Sequence, residues 1–584
     1  MSNNPILVVG TTCGFGTYTG EILKAEGFNA FDVKSPFDAG LSLEFLHKYD
    51  IVILGEIVLN PEHKSIIYSY ISEGGNLIAF RPDKRLAPVF GLVVREGTLK
   101  NGYIKINTGT EIGESLITET MQFHGEADIY HLNRGSEIAA LYTDSAKKSG
   151  CPAVVVNKYG GGLTVAFTYN LPKSIVLTRQ GNLELAGLET DGITGIRGMD
   201  LFAGGWLDTS KNHLNQADEQ MRLLTRCIDK LCESRKPLPR FWYFPNMLKS
   251  LVILTNDGED NTEVEFDSQF KDIESKGALM TLYIKELDLV SSEKVKMWVD
   301  KGHEISGHPD DTEEAASPTW NRMDSVTGSM VKYIREAYGQ EMKTVANHWF
   351  VWVGDGPDGR QDFTAQAKIE AKHGMKMDLN YAHYDNGSTD DHSLGLAGNF
   401  TGSGLPMRFA DADGNIIDIY QVHTNVYDQE YMEKDDPEGF FSCFKIILDR
   451  SLENEIFSFV GLKAHRAEWH WSRTSILKML DYAKLKGVPV WTARKALDFI
   501  LMKDAAVFKN INWSHNQLSF TVYSPVAGEG LTFMVPCRFD GKTVNAITKD
   551  GIGVPYTVRS LKGKDYAYVM VSGGSNYIIT VYYG

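Results

Sequence analysis

The segment Gly302–Thr312, GHEISGHPDDT, carries two histidines five residues apart and two aspartates just after the second. Imidazole nitrogens and carboxylate oxygens hold divalent cations, and the same groups move protons near neutral pH. Similar residues follow three other β-type runs. Asn256-Asp257-Gly258-Glu259-Asp260 follows VILT, Asn347-His348-Trp349 follows KTVA, and His465 closes SFVGLKAH with Trp469 and Trp471 just beyond. One such histidine alone is more often a satisfied core or surface residue. Carboxylates and imidazoles arriving from separate strands at one rim are, by contrast, how a barrel assembles a metal site. An ion held by two imidazoles and a carboxylate keeps positions open for water and a substrate carbonyl, so it can lower the water's pKa and polarise an acyl group. Asp257, Glu259 and Asp260 also allow a weaker reading as glycoside hydrolase carboxylates, but groups two or three residues apart are poorly placed to flank a scissile bond.

These residues need a scaffold that brings strand ends together. Between 250 and about 503 the chain alternates strand-like runs (SLVILTND, LMTLYIK, HEISG, MKTVANH, MKMDLNY, IIDIYQVH, IFSFVGLKAH, VPVW) with helix-like ones such as FDSQFKDIESKG and ILKMLDYAKLKG. Repeated pairs of this length fit a (β/α) barrel, whose strand C-termini carry the chemistry. The first 90 residues alternate in the same way, with NPILVVG, YDIVILGEI and NLIAFRP as apolar strands between helices. Continuous apolar strands imply a parallel sheet covered on both faces. This front unit resembles a flavodoxin-like or class I amidotransferase-like domain. The glutaminases of that superfamily place a cysteine on a tight turn after a central strand; the corresponding turn here reads Arg81-Pro82-Asp83 and has no nucleophile. Cys13, in TTCGFG, is expected to be a small buried or turn residue, and the glycines around it fit neither dinucleotide nor P-loop spacing.

Short strands over 95–170 complete the front unit, and Met221, Leu224, Ile228 and Leu231 mark a helix before the Pro-rich, aromatic connector KPLPRFWYFP. After 505, QLSFTVYSP, GLTFMVPC, YAYVMVSG and NYIITVYYG predict a small β-sandwich. The expected units are therefore 1–235, an α/β domain without nucleophile; 236–505, a barrel; and 506–584, a sandwich. The net charge of −16 argues against a nucleic-acid partner, which needs clustered Lys and Arg, and weakly disfavours a polyanionic glycan. No CxxC pair is present among the six cysteines, no apolar stretch approaches the ~20 residues of a membrane span, and MSNNPILVVG does not read as a signal peptide.

TNDGED, followed by KGHEISGHPDD, resembles the first two motifs of the NodB-homology polysaccharide deacetylases, carbohydrate esterase family 4, over about 250 residues. That resemblance implies a deformed (β/α) barrel of polysaccharide deacetylase type, an acetylated glycan substrate, and one divalent ion, zinc first, with nickel, cobalt and manganese as alternatives. It assigns Asp257 to the base, His308 to the first metal histidine and His465, in LKAH, to the acid; His303 matches a histidine that is not a ligand. It also implies a periplasmic or extracellular setting, the cytoplasm remaining open. The chain departs from the pattern twice. Gly258 stands where a metal-binding Asp is expected, and Thr312 where a second metal histidine is expected. Asp257 and Glu259 are the candidate carboxylate ligands, since a bulged strand end could turn both toward one ion, and His348 is the replacement imidazole. Asp260, Asp310 and Asp311 are reserves, with helix capping ranked above ligation for the last two. Trp349, Trp352, Tyr381, Tyr384, Trp469 and Trp471 are candidate sugar-stacking faces. A non-catalytic carbohydrate-binding relative is the alternative that the two departures favour.

Overall fold

The computed structural model describes residues 4–11, 13–36, 41–190, 192, 194–259, 261–310, 318–382 and 398–584. In the front unit, β1 (Ile6–Val9), β2 (Phe31–Lys34), β3 (Ile51–Leu54), β4 (Leu77–Phe80) and β5 (Gly162–Phe167) pair in parallel in the order β2-β1-β3-β4-β5. Every side chain of β1, β3 and β4 is buried, as strands sandwiched between layers require. Four antiparallel strands between Tyr103 and Tyr159 extend this sheet to nine. The turn after β4 carries Arg81 in a left-handed conformation (φ 40°), its guanidinium bonded to Glu56, Glu126 and Asp128. Cys13 lies in an exposed turn.

The connector after the helix Gln216–Cys232 enters the C-terminal unit: Arg240–Phe241 pairs antiparallel with Gly528–Pro536. Arg240 is buried and reaches back to Glu26 of the front unit at 2.7 Å, where the Tyr243 hydroxyl also donates at 2.7 Å. Beyond residue 506 two antiparallel sheets share a core, with Phe520 of one meeting Phe533 of the other edge to face at 5.5 Å. One hydrophobic core is continuous from Ile6 to Val488 and a second joins the middle and C-terminal units, so the chain's pattern boundaries are not boundaries of packing.

The middle unit contains β6 (Ser250–Gly258), β7 (Thr281–Ile284), β8 (Glu304–Gly307), β9 (Thr344–Val345), β10 (Met377–Ala382), β11 (Met407–Ala410), β12 (Ile416–Thr424), β13 (Val426–Tyr427) and β14 (Ser458–His465). Its strands form two sheets, β8-β7-β6-β14-β13 and β9-β10-β12-β11, rather than one closed hydrogen-bonded ring. Side chains span the interruptions. Ser306 donates to the Thr344 carbonyl at 2.8 Å between β8 and β9. Between β12 and β14 the Asn425 side chain accepts from the Gly461 N–H at 2.8 Å. Gly461 is required there, because a Cβ would lie 2.0 Å from the His423 carbonyl oxygen. The register sets Asp257 opposite His465 and Thr255 opposite Lys463, and it aligns the ends of β6, β7 and β8 at Gly258, Ile284 and Gly307. Among the described residues no helix is long and apolar enough to cross a membrane.

Glu370 and Asp378 are fully buried near β9 and β10, bridged by the Asn380 side chain at 3.1 and 2.5 Å. Burial pushes both carboxyl groups up, Asp378 to about 7, so the folded chain retains protons that the unfolded chain has released. A raised carboxyl value means stability fully present below the unfolded value near 4 and lost as pH rises through about 7. Asp378→Asn keeps a donor beside Glu370 and removes one ionisation. Its melting temperature should gain on wild type by about 2 °C or more on going from pH 5 to pH 8; equal shifts at both pH values would refute the raised value of Asp378.

Candidate metal and proton-transfer site

Glu259, His308 and His348 each turn one ligand atom to a common point, all within 4.8 Å of one another. Glu259 Oε1 lies 3.2 Å from His348 Nε2 and 3.6 Å from His308 Nε2. Each ring is fixed through its other nitrogen. His308 Nδ1–H donates to the Ala346 carbonyl at 2.7 Å, leaving its buried Nε2 without a protein hydrogen-bond partner. His348 Nδ1 bonds Asp310 at 2.9 Å, and Lys285 holds Asp310's other oxygen at 3.1 Å. Two imidazoles and a carboxylate, with carbonyl and carboxylate partners fixing the rings, form a donor set that suits a catalytic divalent ion such as zinc. Burial alone would raise Glu259, but the neighbouring His308 and His348 rings carry its carboxyl well below the usual range. Burial alone would lower His348; Asp310 and Glu259 outweigh it and raise the ring to about 9.

Gly258 faces away from this point. A Cβ there would lie 2.7 Å from the Phe266 ring, whereas side chains at 257 and 259 share the opposite face of the strand end. Asp257 lies outside the three-donor group. Its Oδ2 is 2.5 Å from Lys463 Nζ, 3.4 Å from His308 Nε2 and 3.6 Å from His465 Nε2, while its buried Oδ1 has no protein hydrogen-bond partner. The structure thus places the two candidate carboxylates differently: Asp257 sits beside Lys463 and outside the three-donor group, and Glu259 is the carboxylate within it. His465 donates to Asp428 twice, from Nδ1 at 2.6 Å and from its main-chain N–H at 3.0 Å. Burial pulls His465 down, yet Asp428 and then Asp257 hold it above its ordinary value against Lys463.

A cavity of about 560 Å³ opens onto Asp257, Glu259, Lys463 and His465, with Trp349, Phe350 and Tyr427 among its walls. Trp349 is 50% exposed, its ring centroid 5.4 Å from that of His348. Trp349 and Phe350 are consecutive left-handed residues (φ 55° and 56°), a conformation costing roughly 1–2 kcal/mol each for residues other than glycine. It puts the Phe350 ring 3.9 Å from the Lys463 ammonium.

The other expected sugar platforms among the described residues do not line the cavity. Trp352 and Tyr381 are buried and bond the Phe363 and Gln180 carbonyls, and Trp469 is buried against Asp272, so none has a face left for a ring. Trp471 is tied to Asp435. His303 accepts from the Met280 N–H at 3.2 Å, away from the donor group. Asp310 neither caps a described helix nor joins the three donors; it orients His348. Asp260, Asp311, Thr312 and Tyr384 lie outside the described residues. Sequence reasoning missed Lys463, Asp428, Phe350 and Arg197. A lysine inside the otherwise buried strand SFVGLKAH, two residues before His465 and on its face, was the available signal for the first.

No protein-family model matches the chain, and no curated protein matches it. Among solved structures, Agd3, described as a novel carbohydrate deacetylase, aligns over 99% of this chain and 98% of its own at 10% identity, with a TM-score of 0.41. A mutant of BA3943, described as a CE4 family pseudoenzyme with restored enzymatic activity, aligns over 42% of this chain and 67% of its own at 12% identity and a TM-score of 0.26. A β-galactosidase from Bacillus circulans sp. alkalophilus aligns over 29% of each chain at 14% identity and a TM-score of 0.24.

An ion at Glu259, His308 and His348 competes with the proton that His348 holds below about 9. Between pH 6 and pH 8 the zinc association constant should rise about tenfold per unit, the slope of one displaced proton. Titration against a competing chelator measures it, and a pH-independent constant would contradict the assignment of His348 as a ligand.

Proposed function

We propose that the chain is a divalent-metal-dependent deacylase that removes acetyl groups from an acetylated glycan. The observation that supports this most directly is a cavity lined by Asp257, Glu259 and His465, in which Glu259 joins His308 and His348 in a two-histidine, one-carboxylate donor set, Asp257 keeps an unpartnered oxygen, and Asp428 raises the proton affinity of the His465 imidazole. Glu259, His308 and His348 would hold the ion, which when bound supplies a water of lowered pKa and polarisation of the acyl carbonyl.

The chain's own groups then carry the protons. As the water oxygen bonds to the acyl carbon, Asp257 Oδ1 takes the water's proton and the carbonyl electron pair moves onto its oxygen. Lys463 holds the other carboxylate oxygen at 2.5 Å, which limits rotation of the group. When the C–N or C–O bond breaks, its electron pair leaves with the amine or alkoxide, and His465 Nε2 supplies the proton. The carbonyl reforms as acetic acid, and return of the proton from Asp257 to His465 restores the starting state. Trp349 offers its exposed face to a sugar ring at the cavity wall.

Asp257→Asn should bind zinc as wild type does and release acetate from acetylated glycans about 10²–10⁴-fold more slowly. His308→Ala should lose both ion and activity. Elemental analysis and acetate release, before and after chelation, separate the readings. A wild-type chain that takes up no ion on reconstitution favours the carbohydrate-binding alternative, and cleavage between sugars that survives chelation favours a glycoside hydrolase.

A further inference from the structure

The front unit reaches the site. Thr194, Arg197 and Met199 line the same cavity as Asp257 and Trp349. Arg197 Nε donates to the Trp349 carbonyl at 3.1 Å, while Nη1 and Nη2 donate to the carbonyls of Gly195 and Thr194 at 3.3 and 2.9 Å. The main chains join as well: Arg197 bridges Val351, and the Trp352 N–H donates to the Ile196 carbonyl at 2.9 Å. Asp200 secures the Arg197 end by accepting its N–H at 2.7 Å.

We propose that Arg197 is a positioning residue that locks the left-handed pair Trp349-Phe350 and, through it, the ligand His348, the Trp349 face and the ring under Lys463. On its other side this loop is pinned by the His348 N–H, which donates to the Pro309 carbonyl at 2.8 Å. Between these anchors Trp349 and Phe350 occupy a conformation that residues with a Cβ disfavour. The Trp349 carbonyl is the polar group inside that strained turn, and a guanidinium fork that also grips two carbonyls of its own segment gives it a rigid donor. The front unit, which lacks a nucleophile at the Arg81 turn, thereby supplies a wall and a clamp to the site. What the clamped site does rests on the deacylase reading; the clamp itself does not.

The test uses the full chain with Arg197→Ala and Arg197→Lys. Arg197→Ala should weaken zinc binding and lower kcat, each roughly 10–100-fold, the range seen when a partner of a metal ligand is lost. KM should rise as the Trp349 face shifts, and amide exchange should accelerate over 347–352 but not in β6 or β14. Arg197→Lys, with one donor for the Trp349 carbonyl, should recover part of each loss. Wild-type zinc affinity, kcat, KM and exchange in Arg197→Ala would overturn the proposal. If that variant does not fold, Arg197→Gln takes its place with the same outcomes. If wild type itself binds no zinc, the deacylase reading falls, and exchange over 347–352 alone decides the clamp.

Discussion

The contact between Asp257 and Lys463, 2.5 Å apart and almost wholly removed from solvent, is the constraint around which the site is arranged. Taking two charges out of water costs several kcal/mol per ion, and their attraction offsets this only where geometry and further partners are good. Here the further partners are the Phe350 ring face for the ammonium and, at longer range, His308 and His465 for the carboxylate. The pair also dictates register. Lys463 sits opposite Thr255, two residues short of the strand end, so its four-carbon stem runs forward to Asp257 while His465 occupies the rim. A one-residue slip of β14 would send both side chains to the other face. The close approach of His423 to Gly461 on the same strand is one of the contacts that forbid it.

Two imidazoles, His308 and His465, approach this carboxylate and a third, His348, approaches Glu259; the acceptor at each Nδ1 distinguishes them. A main-chain carbonyl on His308 fixes the tautomer and leaves Nε2 with a lone pair for an ion. Asp310 on His348 is shared with Lys285, so the ring is held by a carboxylate whose charge is partly neutralised. Asp428 on His465 is fully buried and bonds both the ring and the main chain of the same residue, which fixes the ring and raises its affinity for a proton. The three rings thus differ in their surroundings, although all follow strands of one unit.

Much of this was legible because strand ends are readable. Apolar runs located β6, β8 and β14, and the residues just past them include Asp257, Glu259, His308 and His465. Direction was less legible than location. Trp352, Tyr381 and Trp469 are near strand ends in sequence, but each turns its polar edge to a partner inside the fold. Asp428 was hidden because β12 leads through Asn425 into β13 and changes sheets, so the strand IIDIYQVH does not reveal which neighbour its continuation meets. The expected barrel met the same difficulty. Periodicity marks each strand, yet the interruptions at β8/β9 and β12/β13 depend on a two-residue strand and on the side chains of Ser306 and Asn425.

Gly258 shows why a departure from a motif need not mean a lost site. Along an extended strand successive side chains face opposite ways, so residues 257 and 259 can serve one point while 258 cannot. At 258 the side-chain direction leads into the Phe266 ring and toward Leu282, where a carboxylate would be buried among apolar atoms without a partner. With Asp257 fixed by Lys463, the next residue on the same face is Glu259, whose longer side chain reaches His308 and His348 from just beyond the strand. The glycine is therefore what the packing of Phe266 demands, and the glutamate is what the alternation of the strand makes available.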